Sequence, residues 1–272
     1  MEDVQSRRDT RGIALDRAGV SGLRVPLVVL DRDNERQSTV ASVEMSVHVP
    51  EEFKGTHMSR FVEVLEQHRG QITMRTLPLL LADLRERLGS DAARIEFEFP
   101  YFLERTAPAS GAKALMDYQC RFVGESTSAG DDFVLSVKVP VTSLCPCSKE
   151  ISDYGAHNQR GIVSVDVRST VLDGERQFIW IEELISIAES CASAPVYPLL
   201  KREDERFVTM QAYDNPAFVE DMVRDVAVAL RDDRRVAWFQ VHVENFESIH
   251  NHSAFASVAW SRDVSEQRIA AE

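Results

Sequence analysis

The sequence predicts an α+β protein of two tandem β-β-α-α-β-β units, each an antiparallel sheet with its helices on one face. Three observations predict it. Several stretches alternate apolar and polar residues with period two, others repeat apolar residues at helical spacing, and the order of these stretches is the same in both halves. No sequence identity is detectable between the halves, so the repeat is one of pattern.

Residues 23–31 read as the first strand, and 38–49 alternate Val43, Met45, Val47 and Val49 against Ser42, Glu44, Ser46 and His48, a half-buried antiparallel pair. Two helical stretches follow, at 57–69 and 77–88. Thr56 is the expected cap of the first, and Pro78 lies in the first turn of the second, where a missing N–H costs little. Strands resume around Ile95, Phe97 and Phe99 and around Met116, Tyr118, Cys120 and Phe122. In the second half, Phe133 to Val141 and Val163 to Val167 alternate as strands, and Ile181, Leu184, Ile185 and Ala188 share a helix face. A second helix is expected from Asn215 as N-cap with Pro216 at N1, repeating Val219, Met222, Val223, Val226 and Leu230. Strands at 236–246 and 254–260 close the pattern. The division that follows is a polar N-terminal arm at 1–20, a first unit at 21–128, a second at 129–264 and a tail at 265–272. Open sheet edges favour pairing between units and subunits into a barrel, which makes a monomer improbable.

The 272 residues carry 44% hydrophobic side chains, enough for a substantial core, and a formal net charge of −13. That charge argues against nucleic-acid binding, while a few focused cations could still hold a triphosphate. No stretch approaches the roughly 20 apolar residues of a membrane span, and the N-terminus lacks the apolar region of a secretory signal, so a cytoplasmic address is expected. Four cysteines are too few for a disulfide scaffold; Cys120 and Cys191 lie on apolar faces and read as core.

Chemistry concentrates in the run Ser143-Leu-Cys-Pro-Cys-Ser-Lys-Glu-Ile-Ser-Asp-Tyr-Gly-Ala-His157. A Cys-Pro-Cys alone reads as a tight turn, but an imidazole in the same loop points to a metal. If two antiparallel helices join the strand pairs, three connections share one end: 145–157, 201–205 and 247–252. Cys145 and His157 would then be joined by Glu205 or Glu203, a thiolate, imidazole and carboxylate set that suits a zinc-class ion and leaves a position for water. His250 and His252, on one loop with Glu247, could move protons. Each feature also has a plain reading: a surface His-x-His, a solvated charge run at 201–205, and an ordinary exposed helix face around Glu220. Arg60, near a helix start, would suit an anion.

These motifs resemble the signature of type IB GTP cyclohydrolase I. The resemblance is carried by Pro140 to Arg160, by Lys54-Gly-Thr-His-Met-Ser-Arg-Phe61, and by Lys201-Arg-Glu-Asp-Glu205, Tyr213-Asp-Asn-Pro216 and Glu247-Ser-Ile-His-Asn-His252, and covers about residues 20 to 262. It implies the tunnelling fold, in which such units assemble into barrels. It implies hydrolysis of GTP to 7,8-dihydroneopterin triphosphate and formate, the entry step to folates and related pterins. It further implies Cys145, His157 and Glu205 as metal ligands, a mixed donor set that by its chemistry accepts zinc, manganese or iron, Glu220 as guanine anchor, and Glu247, His250 and His252 near the reacting atoms. A homotetramer with interfacial sites is expected. Lys149, Arg160 and Arg202 are candidate triphosphate contacts, with Arg60 from another subunit. Two other readings compete. A zinc nucleobase deaminase would use a Pro-Cys-x-x-Cys pair with a separate His-x-Glu, which this arrangement does not match. A noncatalytic, metal-stabilised assembly protein would unfold on chelation without turning over any purine.

Overall fold

A computed structural model describes residues 5, 7–32, 35–68, 76–172 and 175–262. Its contacts divide the chain into two compact units, one of Met1–Pro100 with Arg121–Leu135, the other of Tyr101–Cys120 with Ser136–Glu272.

In the first unit, β1 (Leu15–Asp31) pairs antiparallel with β2 (Glu35–Val49), and β2 with β3 (Ala93–Thr106). The strand order continues through β4 (Lys113–Thr127) to β5 (Gly130–Leu144), the last three strands having residues in both units. Strand β1 starts at Leu15, inside the expected arm: its register against β2 supplies backbone partners that its polar side chains do not reveal. Helices α1 (Met58–Gln67) and α2 (Leu77–Leu88) bury Phe61, Val64 and Leu65, and Leu77, Leu80, Leu81 and Leu84. Arg69, the expected last residue of the first helix, lies outside the described residues, as does the tail. The cap of α1 is His57, not Thr56, and no side chain caps it. Pro78 does lie in the first turn of α2. Facing these helices are the alternate residues Val43, Met45 and Val47 and Ile95, Phe97 and Phe99, all at most 1% exposed. Gly124 lets the strand approach α2, since a β-carbon there would lie 2.9 Å from Leu77 and 3.0 Å from Leu81.

In the second unit the strand order is β3-β4-β5-β6-β10-β11. After β5 come α3 (Pro146–Ile151), β6 (Asn158–Ser169), the short β7 (Val171–Leu172) and β8 (Glu175–Arg176), and α4 (Ile181–Ser190). Then follow β9 (Ala194–Pro195), α5 (Arg202–Asp214), α6 (Val219–Asp232), β10 (Val236–Asn245) and β11 (Ala254–Ser261). Val163, Val165 and Val167 are buried beside Val241 and Val243, and α6 buries its expected stripe of Val219, Met222, Val223, Val226 and Leu230. Cys120 is buried, whereas Cys191, the C-cap of α4, is only half-buried.

Two expectations fail here for one reason, an additional helix. The run 201–205 is not a loop but the N-cap and first turn of α5, and Asn215 ends α5 instead of starting the next helix. The Asn215 side chain donates to the Ala192 carbonyl at 2.9 Å, and α6 begins at Val219, its cap Phe218 donating its N–H to Asp221. Among the described residues no helix is long and apolar enough to cross a membrane.

Candidate active site

Strand β5 ends at Leu144, and Cys145 caps α3, with Pro146 at N1. The Cys145 sulfur accepts the Ser148 N–H at 3.4 Å, an interaction that uses an otherwise unpaired donor of the helix start. The loop closes on itself: Cys145 N–H donates to the His157 carbonyl at 3.1 Å, and His157 N–H to Ser148 Oγ at 3.2 Å. Cys145 and His157 are therefore held together by backbone geometry, while Cys147 points outward and is exposed.

The register β6–β10 sets Gly161 opposite Asn245, and Phe246 N–H donates to the Arg160 carbonyl at 2.9 Å. This brings the 246–253 connection against the 145–157 connection, as the alternation of strands predicts. There, His157 Nδ1 lies 2.9 Å from Gln159 Oε1 and 3.8 Å from Glu247 Oε2, both partners being largely shielded from water. The His250 ring stands perpendicular to His157 with centroids 6.5 Å apart, and His252 stacks on His250 at 5.1 Å. Three imidazoles and a carboxylate thus form one continuous group, with His250 and His252 open to solvent.

The third connection at this end is the α5–α6 turn, not 201–205. Ala217 N–H donates to the Leu144 carbonyl at 3.1 Å, and Lys149 Nζ donates to the Tyr213 carbonyl at 2.5 Å while lying over the Tyr213 ring. Lys149 thereby anchors the end of α5. Glu220, exposed in the first turn of α6, follows three residues after Ala217. Glu203, Glu205 and Arg202 are exposed at the opposite end of α5; Glu205 precedes Tyr213 by about 12 Å of helical rise. Among the described residues no group of three or more His, Cys, Asp and Glu side chains assembles a metal site. What the structure does bring together is a thiol and an imidazole, donor types that zinc-class ions take, with the Glu247 carboxylate beside the imidazole. Arg160 is exposed at the start of β6. Arg60 belongs to the first unit, donates to the Arg87 carbonyl at 3.1 Å, and lines a cavity of about 330 Å³ with His48, Thr56, His57 and Arg87.

Sequence reasoning missed Asp204, the buried member of the charge run. It accepts from the Ala109 and Ser110 N–H groups at 2.8 Å each, from Ser110 Oγ at 2.6 Å and from Lys201 N–H at 2.9 Å. Burial by itself would raise its pKa, but the bonds from Ser110, Lys201 and Ala109 outweigh that and hold the carboxyl well below the usual range. Its signal was the spacing Lys201-x-x-Asp204, in which the N3 carboxylate reaches back to the cap N–H. Gln159 and Ser143 were missed as well, because an amide and a hydroxyl inside strands carry no motif.

Solved structures with the same arrangement of strands and helices define the class. The uricase from Arthrobacter globiformis aligns with a TM-score of 0.52 at 10% identity over 91% of this chain and 94% of its own. A uricase from Bacillus fastidious aligns at 0.52 and 9% over 95% and 96%. At such identities the likeness shows the fold alone, and the chain is an α+β protein of the tunnelling-fold class. Within that class it belongs to the type I GTP cyclohydrolase folE2 family, whose description matches residues 1–256. Relatives named GTP cyclohydrolase FolE2 include those of Citrifermentans bemidjiense, 55% identical over 97% of this chain and 96% of the relative, and Geobacter sp. strain M21, 54% identical over the same shares. The Geobacter sulfurreducens relative is 51% identical over 95% and 97%. The family is metal-dependent.

Proposed function

We propose that this chain is a GTP cyclohydrolase I of type IB, which opens the guanine imidazole ring of GTP at C8, releases formate and forms 7,8-dihydroneopterin triphosphate at the start of folate and pterin synthesis. The observation that carries the reading is the grouping of Cys145, His157, Glu247, His250 and His252 around two adjacent connections of a chain from this family.

Cys145 and His157 would hold a divalent ion, zinc, manganese or iron, with Glu205, which within one subunit lies at the far end of α5, completing the set across a subunit interface. Bound there, such an ion supplies a nucleophilic water at neutral pH. The remaining steps belong to the side chains. Glu220 accepts hydrogen bonds from guanine N1–H and the exocyclic amine, a donor pair adenine lacks, which selects the base. His250 or His252 delivers a proton to a nitrogen of the imidazole ring so that it opens, with the Glu247 carboxylate on the same connection near the reacting atoms. Lys149, Arg160 and Arg202, with Arg60 from another subunit, would neutralise the triphosphate. Two tandem units, 21–128 and 129–264, would assemble as a homotetramer in the cytoplasm, with sites between subunits.

The test is incubation of purified protein with GTP after loading with zinc, manganese or iron in turn. Formate and an oxidisable fluorescent pterin are expected, and chelation should abolish both. Absence of both with every ion overturns the proposal, and ammonia in place of formate points to a deaminase.

A further inference from the structure

We infer that Gln159 is a positioning residue for His157, the last link of a relay from the Ala217 carbonyl that leaves Nε2 of His157 as the nitrogen offered to the site. What that nitrogen meets rests on the proposed metal role of His157; the choice of nitrogen does not.

The relay is ordered by hydrogen-bond capacity. The Ala217 carbonyl can only accept, and it lies 3.0 Å from Ser143 Oγ, so the one hydroxyl proton of Ser143 points to it. Ser143 Oγ then has acceptor capacity alone. Two buried amides reach it, Gln159 at 3.2 Å and Asn245 at 2.9 Å, and both must present their NH₂ groups. The amide orientation, often interchangeable between O and N, is here dictated by a backbone atom. With its nitrogen turned to Ser143, Gln159 directs Oε1 at His157 Nδ1, 2.9 Å away. An amide oxygen accepts, so Nδ1 carries the proton. The Glu247 carboxylate, 3.8 Å from the same nitrogen, favours the same arrangement. Neutral His157 therefore keeps its lone pair on Nε2, the tautomer in which an imidazole can bind a cation through that atom.

Rigidity comes from position. Ser143 is fully buried and Gln159 and Asn245 nearly so; they come from β5, β6 and β10, three neighbouring strands. Ala217 is tied to the same strand end through its N–H, and Glu220 is three residues further on. One backbone segment thus orients the imidazole and leads into the helix that carries the proposed guanine anchor.

The test is a long-range proton–nitrogen correlation spectrum of ¹⁵N-labelled, metal-free protein, with the His157 signals identified by their loss in His157→Gln. The wild type should show a protonated Nδ1 and an unprotonated Nε2. Gln159→Leu should lose that preference and show both tautomers, and Ser143→Ala, which frees the Gln159 amide to turn over, should weaken it with Gln159 still present. Glu247→Ala should keep Nδ1–H. Zinc added to the wild type should shift Nε2, and Gln159→Leu should bind it about 10–100-fold more weakly. A wild-type proton on Nε2, or an unchanged tautomer in both Gln159→Leu and Ser143→Ala, overturns the relay. Retention in Gln159→Leu with loss in Glu247→Ala overturns it too, and assigns the role to Glu247. If Gln159→Leu fails to fold, the wild-type and Ser143→Ala spectra decide. A wild type with Nδ1–H whose Nε2 ignores zinc upholds the relay and overturns the metal role of His157.

Discussion

Gly161→Ala is expected to destabilise the protein through one side chain, Asn245. The two residues are opposite each other in the β6–β10 register, and a β-carbon at 161 would lie 2.3 Å from Asn245 Oδ1 and 3.3 Å from the Glu244 carbonyl. Carbon-to-oxygen contacts close at roughly 3.3 Å, so the Asn245 amide has to retreat by about 1 Å. It has little room to do so. Asn245 is 2% exposed, and its nitrogen is bonded to Ser143 Oγ at 2.9 Å. Overpacking of a buried site costs roughly 1–3 kcal/mol. Loss of the hydrogen bond to Ser143 adds about 1 kcal/mol. The sum, about 2–4 kcal/mol, corresponds to a fall in Tm of at least about 4 °C for a chain of this size. Asn245 Oδ1 finds no hydrogen-bond partner among the described residues, so its removal leaves no donor unpaired on that side. An Asn245→Ala background removes the 2.3 Å contact and leaves the Glu244 carbonyl at 3.3 Å, so the cost of the alanine at 161 should drop below about 1 kcal/mol. Calorimetry of the four proteins at one concentration reads this coupling. Additive costs, or an unchanged Tm in Gly161→Ala, refute the steric argument.

Other expectations concern the site and its surroundings. Cys145→Ala should abolish GTP turnover, whereas Cys120→Ala should retain it, because burial pushes the Cys120 thiol well up and keeps it un-ionised in the core; equal loss in both undermines the site, as formate release would show. Glu220→Ala should lower kcat/KM for GTP by about 10²-fold or more if it pairs with the guanine edge, and an unchanged value removes it from base recognition. Asp204 has a lowered carboxyl pKa in the fold, so its contribution is fully present above the unfolded value near 3.9 and is lost as pH falls through the lower folded value. Asp204→Asn should therefore melt below the wild type at neutral pH, with the gap narrowing under about pH 4. A gap independent of pH would show that the charge is not what the Ser110 and Lys201 donors hold.

Much of this protein was legible in its chain because the signals are local. Period-two alternation at 38–49 and 163–167, and the apolar stripe from Val219 to Leu230, follow directly from burying one face of a strand or helix, and the structure buries those residues. Cys145 and His157 could be paired on paper because they flank one connection, and the 247–252 turn could be placed beside it because antiparallel strands return their turns to the same end. The start of α5 could not, since Lys201 to Glu205 is as charged as any solvated loop. The turn at Ala109 and Ser110, nearly a hundred residues earlier, supplies three of the four donors that let Asp204 be buried.

By itself, then, the sequence determined the kinds of element, the alternation that makes them antiparallel layers, and the side chains able to do chemistry. The tertiary structure decided which of them meet and in what state. Ser143 and Asn245 stand 102 positions apart and share one hydrogen bond because the sheet order sets their strands, β5 and β10, on either side of β6. The proton on His157 Nδ1 follows from a carbonyl at Ala217 that no local pattern connects to it. Periodicity is a property of short segments, whereas hydrogen-bond capacity must be satisfied across the whole buried group, and only the folded chain defines that group.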